Sequence, residues 1–291
     1  MEASTDRPVT VPSVIAMKGN RRIAMLTAYD YPSAKRVDMA GADIILVGDS
    51  LAMVVLGHSD TLNVTVDEML HHTRAVSRGA NRPLIVGDMP WLSYHLSTEE
   101  TVRNAAAFIR AGARAVKMEG GKASRIRMIE AIRDAEIPVM GHVGLTPQSV
   151  NVLGGFKVQG READAARRLI DEAAALEEAG CFSVVLECVP AEIAAHITER
   201  LSIPTIGIGA GPGCDGQVLV YHDLVGLYDD LSPRFVRRYA EAGALISDGL
   251  TRWIADVRDG IFPDSETESF HLSSDEELKR LYARPEIGVD A

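Results

Sequence analysis

Short apolar runs alternate with longer amphipathic stretches along most of the chain. The runs cover residues 21–30, 42–50, 82–90, 113–121, 137–145, 182–190, 203–211 and 216–224. Each is rich in aliphatic side chains and lacks strict apolar/polar alternation. Strands covered on both faces look like this, which predicts a parallel sheet. The stretches between them have helical length and spacing. Residues 66–80 and 97–113 are examples, and the second opens as a capping box, with Glu100 three residues after Ser97. Residues 161–180, rich in Ala, Leu, Glu and Arg, form the clearest helix.

One design recurs in "MAGADIILVGDS", "RAGARAVKMEGG" and "EAGCFSVVLECV". A helix ends at Gly41, Gly112 or Gly180, where a left-handed cap favours glycine. An apolar strand follows and a carboxylate stands near its end. Other strands are entered through Pro83, Pro138 and Pro204, a position where proline removes no ladder donor. Eight strands with helices between them predict an α/β fold of the (β/α)8 TIM-barrel type. The competitor is an open doubly wound sheet. Its dinucleotide-binding form is weakened because no G-x-G-x-x-G follows the first strand, and the "GIGAG" of 207–211 belongs to a late one. The expected organisation is a short polar arm over 1–10, a barrel with peripheral helices over 11–260, and a polar tail over 261–291. Within it, residues 232–260 read as helices packed outside the barrel.

Composition narrows the function. Acidic residues outnumber basic ones, 41 to 30, for a formal charge of −11, which disfavours a nucleic-acid partner. No apolar run reaches the ~18 residues of a membrane span. The opening "MEASTDRPVT" has no apolar core of a secretory signal. Cys181, Cys188 and Cys214 are too scattered for a disulfide framework or a zinc site. A cytoplasmic enzyme is the expectation.

In parallel α/β folds the chemistry gathers at the strands' carboxyl ends. Those ends carry Tyr29 and Asp30, Asp49 and Ser50, Asp88, Lys117 and Glu119, His142, Glu187 and the 207–211 loop. Asp49 and Asp88 close two strands expected to be neighbours. Paired carboxylates repel unless something neutralises them, and a hard divalent cation such as Mg²⁺ does so. Glu119 adds a direct or water-mediated contact; salt-bridged or capping carboxylates are the alternative. Lys117 and Glu119, two apart on one strand, share a face. The lysine then anchors a substrate carboxylate or pairs with Glu119 on the rim. Glu187, in the apolar "VVLECVP", is a base whose pKa desolvation raises, or else a helix cap. His142 is an acid/base or oxyanion partner, or a satisfied structural histidine. Ser50 lacks a G-x-S-x-G frame and reads as a hydrogen-bonding partner of substrate or metal water. His58, His71 and His72 fall outside this set.

These residues lie in long motifs: "LVGDSLAMVVLGH", "AVKMEGG", "MGHVGLTPQSV", "GGFKVQGR", "VLECVPAEIAAHITERL", "IPTIGIGAG" and "CDGQVLVYHDLVGL". Together they closely resemble the ketopantoate hydroxymethyltransferase (3-methyl-2-oxobutanoate hydroxymethyltransferase) family, from about residue 11 to about residue 270. The resemblance implies a barrel assembled as a homodecamer of two stacked pentameric rings. It implies hydroxymethyl transfer from 5,10-methylenetetrahydrofolate to 3-methyl-2-oxobutanoate, giving 2-dehydropantoate in pantothenate biosynthesis. The implied cofactor is Mg²⁺, with Mn²⁺ or Co²⁺ left open. Matched motif to motif, Asp49 and Asp88 correspond to the metal-site aspartates and Glu119 to an outer metal contact. Ser50 and Lys117 correspond to residues that hold the keto acid, and His142 lies in the pocket. Glu187 corresponds to the acceptor of the C3 proton, leaving a metal-stabilised enolate that attacks the one-carbon donor. Asn63 departs from the family's usual proline, which implies a loop effect, and the tail beyond about residue 271 runs long. A rival enzyme reading keeps the metal and enolate but makes the chain a lyase of the phosphoenolpyruvate mutase/isocitrate lyase type. "KVQGR" and "LTPQSV" favour the transferase. A non-catalytic scaffold is the third reading, and the ionisable groups at so many strand ends argue against it.

Overall fold

Eight parallel strands close into a barrel in sequence order in the computed structural model, which describes residues 7–231 and 233–283. They are β1 (Ile23–Thr27), β2 (Ile44–Val47), β3 (Leu84–Asp88), β4 (Ala115–Lys117), β5 (Val139–Gly144), β6 (Ser183–Glu187), β7 (Thr205–Ile208) and β8 (Gly216–Leu219). The last pairing, Met25 opposite Val218, decides for the barrel over the open sheet.

Absent apolar/polar alternation now has its cause: both strand faces are buried, in different layers. Ile23, Met25, Ile44, Leu46, Leu84 and Val86 belong to a cluster inside the barrel. Their strand neighbours Ile45, Val47 and Ile85, and Val116 beside the inner Ala115, join an outer cluster with helix residues such as Val37, Phe108, Ile129 and Leu176. The period of two therefore sorts inside from outside rather than apolar from polar. Val9, Val14 and Met17 join the inner cluster, and Val9 N–H donates to the Arg82 carbonyl (2.7 Å) just before β3 begins. The short helix Val11–Ile15 thus seals the end of the barrel where the strands start. Residues 1–6 of the expected polar arm lie outside the described residues.

The predicted punctuation is present. The three repeat glycines hold left-handed φ values of +86°, +105° and +93°. The Pro138 and Pro204 carbonyls accept ladder bonds from Val116 and Val184. Ser97 caps the helix Thr98–Arg110 by accepting from Glu100 N–H (3.2 Å).

The chain forms two compact units, one up to Ala240 and one from Glu241. The barrel lies in the first. The second holds the helices Ala242–Arg258 and Asp275–Tyr282, and no described residue in it is buried. Residues 284–291 of the expected tail lie outside the described residues. Among the described residues, no helix is long and apolar enough to cross a membrane.

Candidate active site

Strand register brings the polar strand ends together. Asp88 and Lys117 are direct partners across β3 and β4, on the inward side. The Lys117 ammonium donates to both Asp88 carboxylate oxygens at 2.8 Å. Two residues on, Glu119 Oε1 stands 3.9 Å from the same nitrogen. From β5, His142 points between two acids. Its Nδ1 is 3.6 Å from Glu119 Oε1, and its Nε2 is 3.4 Å from Glu187 Oε2. Asp49 follows β2, and its backbone N–H reaches Asp88 Oδ2 at 3.4 Å. Ser50 Oγ shares a hydrogen bond with the Tyr29 hydroxyl at 2.8 Å.

A tight turn aims Glu187. Gly144 holds φ +103°, and a Cβ there would collide with the Glu187 carbonyl, to which Leu145 N–H donates at 2.8 Å. Only glycine lets β5 pass this close to the end of β6. Cys188, the next residue, takes a left-handed φ of +48°, a conformation costly for a side-chain-bearing residue and favoured where surrounding structure enforces it.

All seven predicted site residues (Asp49, Ser50, Asp88, Lys117, Glu119, His142 and Glu187) line one cavity of about 360 Å³. Apolar side chains, Met53, Phe156 and Phe235 among them, complete its wall. Asp30 does not join them. It caps the helix Tyr31–Met39 instead, accepting from Ser33 N–H at 2.7 Å. His72, outside the predicted set, makes a bond of 2.6 Å between its Nδ1 and the Tyr29 carbonyl.

Four carboxyl groups face one ammonium here, and burial dominates their ionisation. It raises Glu187 to about 8, with the Asp49 and Asp88 charges adding to the effect and Lys117 opposing it. Burial raises Asp49 to about 7, the Asp88 charge adding to it. Asp88 rises less freely because Lys117 bonds to it, and Glu119 is pushed well up by burial. Burial opposes the charge on Lys117, but Asp88, Glu119 and Asp49 outweigh it and hold the ammonium. Burial, then Lys117, keeps His142 well below its ordinary value, so the imidazole is neutral.

This excess of buried acid over base suits a hard cation. Both His142 nitrogens and Glu119 Oε1 are buried with no hydrogen-bond partner among the described residues. Among the described residues no three acidic, histidine or cysteine side chains enclose an ion by themselves. Mg²⁺ sites use one or two carboxylates and leave the remaining positions to water and substrate oxygens. The donors present therefore fit such an ion.

Two residues of the site carry no charge and escaped the sequence reading. Gln148, in the turn Pro147–Ser149, donates from Nε2 to Asp49 Oδ2 (2.9 Å) and to the Met89 carbonyl (3.0 Å). The Tyr94 hydroxyl donates to its Oε1 at 2.6 Å. The one signal was a polar side chain beside proline just past a strand end.

The sequence model of a family described as "Ketopantoate hydroxymethyltransferase" matches residues 8–265. A 3-methyl-2-oxobutanoate hydroxymethyltransferase of Nitratidesulfovibrio vulgaris is 58% identical over 89% of this chain and 85% of its own. One from Syntrophobacter fumaroxidans is 56% identical over 89% of this chain and 92% of its own. Among solved structures, a 2,3-dimethylmalate lyase of the PEP mutase/isocitrate lyase superfamily superposes with a TM-score of 0.59 at 17% identity. It covers 93% of this chain and 94% of its own, a likeness of fold.

Proposed function

The chain belongs to the ketopantoate hydroxymethyltransferase family, and from that premise we propose how the barrel mouth carries out the transfer. Its acceptor is 3-methyl-2-oxobutanoate and its donor 5,10-methylenetetrahydrofolate. The observation that carries the reading is one cavity in which a desolvated carboxyl, Glu187, faces an acid pair and a buried lysine.

Asp49 and Asp88 would hold a divalent cation, Mg²⁺ first among them, with Glu119 as an outer contact. Such an ion, when bound, withdraws electron density from a keto oxygen and so acidifies the adjacent C–H. Lys117 is the buried cation against which the keto-acid carboxylate is oriented, and the Ser50 hydroxyl offers it a hydrogen bond. The ionised Glu187 carboxylate takes the C3 proton. The carbon left behind forms a bond to the one-carbon unit of the donor. Both C–N bonds of the donor's methylene break, one water supplies the new hydroxyl, and its remaining proton and the C3 proton end on the two folate nitrogens as tetrahydrofolate leaves. Neutral His142, with its Nε2 3.4 Å from Glu187 Oε2, is placed to orient that carboxyl as it changes state. We take the assembly to be the homodecamer that the family resemblance implies, in a cytoplasm that keeps the three cysteines as free thiols.

The test is an NMR assay of 3-methyl-2-oxobutanoate with and without the folate donor, and with and without chelator. We expect 2-dehydropantoate only when donor and acceptor are both present, loss of turnover on chelation, and recovery on adding Mg²⁺. Cleavage of a 2-methylisocitrate-like acid without donor, and no hydroxymethylation, would favour the lyase reading and overturn this one.

A pH dependence follows. The base must be ionised, so activity is present above the Glu187 pKa and lost as pH falls through it. Burial places that value at about 8 in the free enzyme. A bound cation offsets the Asp49 and Asp88 charges that help to raise it, so it moves the inflection downward. kcat/KM should therefore rise with pH to an inflection at or below about 8 and above the ordinary 4.5. A flat profile across that window would remove Glu187 as the base.

A further inference from the structure

We propose that Gln148 is a positioning residue for the transfer, tying the carboxylates that follow β2 and β4 into one geometry, with the Tyr94 hydroxyl fixing its amide. The inference rests on the reading of Asp49 and Glu119 as the acids of the cation site.

Gln148 uses its side chain and its backbone on different strands. Its amide nitrogen donates to Asp49 Oδ2 at 2.9 Å, and its backbone N–H donates to Glu119 Oε2 at 3.1 Å. These two acids are 70 residues apart in sequence and have no direct bond to one another among the described residues. The amide cannot be reversed without loss. Met89 offers a carbonyl at 3.0 Å, which only accepts, so the NH₂ must face it and Asp49. The oxygen end then meets the Tyr94 hydroxyl at 2.6 Å. Tyr94 is itself held, because Glu119 N–H donates to its oxygen at 3.2 Å. Every polar atom of the Gln148 side chain is thus satisfied, and Gln148, Tyr94, Asp49 and Glu119 are all buried. A satisfied buried network of this kind has one arrangement.

The consequence is directional. Gln148 takes one oxygen of Asp49, and its N–H takes one of Glu119. Glu119 Oε1 is left buried and unbonded. An acid held by one oxygen presents the other in a set direction, the usual work of groups that support metal ligands.

The test is Gln148→Met, which keeps length and volume, removes both amide donors and retains the backbone N–H. We expect Mg²⁺ affinity, measured by calorimetry on the folded protein, to fall roughly 10–100-fold. Turnover should need correspondingly more Mg²⁺, while the keto-acid KM at saturating Mg²⁺ stays near that of the parent. A merely structural glutamine would shift the melting temperature and leave these quantities alone. Tyr94→Phe, which removes only the hydroxyl that fixes the amide, should move them in the same direction by less, and it decides the matter if Gln148→Met does not fold. Unchanged Mg²⁺ affinity and kcat in a folded Gln148→Met, or in Tyr94→Phe when the former does not fold, overturns the proposal. If turnover of the parent ignores chelation, the cation reading fails instead. An unchanged kcat in Gln148→Met then still sinks the positioning role, and a lowered one sustains it.

Discussion

Glu187→Gln is expected to lower turnover by roughly 10²–10⁴-fold while leaving the barrel folded, the usual range for loss of a positioned proton acceptor. Both halves of this expectation come from burial. Desolvation lifts the Glu187 carboxyl to about 8, so near neutral pH the folded protein already holds much of it protonated. A carboxamide resembles that neutral form in size and in offering a donor and an acceptor. The melting temperature should therefore change little. Activity needs the ionised form, which glutamine cannot supply. Exchange of the C3 proton of 3-methyl-2-oxobutanoate into D₂O, followed by NMR without the folate donor, isolates this step. Exchange should proceed in the parent and stop in Glu187→Gln. Exchange at the parental rate would assign the proton to another group.

Asp88→Ala carries the second large effect, and here the structure adds a cost that the sequence did not announce. Asp88 accepts two bonds of 2.8 Å from Lys117, and both side chains are almost wholly buried, at 2% and 5% exposed. Removing the carboxylate strands an ammonium in the barrel mouth. Breaking a buried pair from one side costs about 3–5 kcal/mol. We expect Asp88→Ala to lose Mg²⁺-dependent turnover and also to unfold at clearly lower denaturant concentration. The double variant Asp88→Ala/Lys117→Met, which removes both charges, should recover much of the stability and none of the activity. Equilibrium unfolding in urea together with a Mg²⁺ titration of turnover separates the two losses. Full activity in Asp88→Ala at limiting Mg²⁺ would refute its place at the cation.

The stretch "ILVGDS" shows how far local sequence reaches. A run buried on both faces must end where the chain leaves the barrel wall, and Gly48, Asp49 and Ser50 mark that exit. The same reasoning located Asp88, Lys117, Glu119, His142 and Glu187 one strand at a time, because a charged group costs too much on an apolar strand anywhere but at a mouth. All of them line the cavity. The same logic also drew in Asp30, which stands past a strand end yet caps a helix. A carboxylate that begins a helix and one that faces a pocket look alike in one dimension.

The sequence alone thus determined the parallel strands and which end holds the chemistry, because burial period and the cost of charge are local properties; the barrel it led us to expect was decided over the open sheet by the pairing of Met25 with Val218. Partnership was decided only in three dimensions. Register set Asp88 opposite Lys117, so the expected substrate anchor is also half of a buried ion pair. Gln148, neutral and therefore silent in any reading of charge, became the link between Asp49 and Glu119. The pKa of Glu187 rests on its depth and on three ionisable neighbours, Lys117, Asp49 and Asp88, from three other strands and their ends. Electrostatic and hydrogen-bond energies depend on distances between side chains far apart in the chain, and closure of the barrel is what makes those distances short.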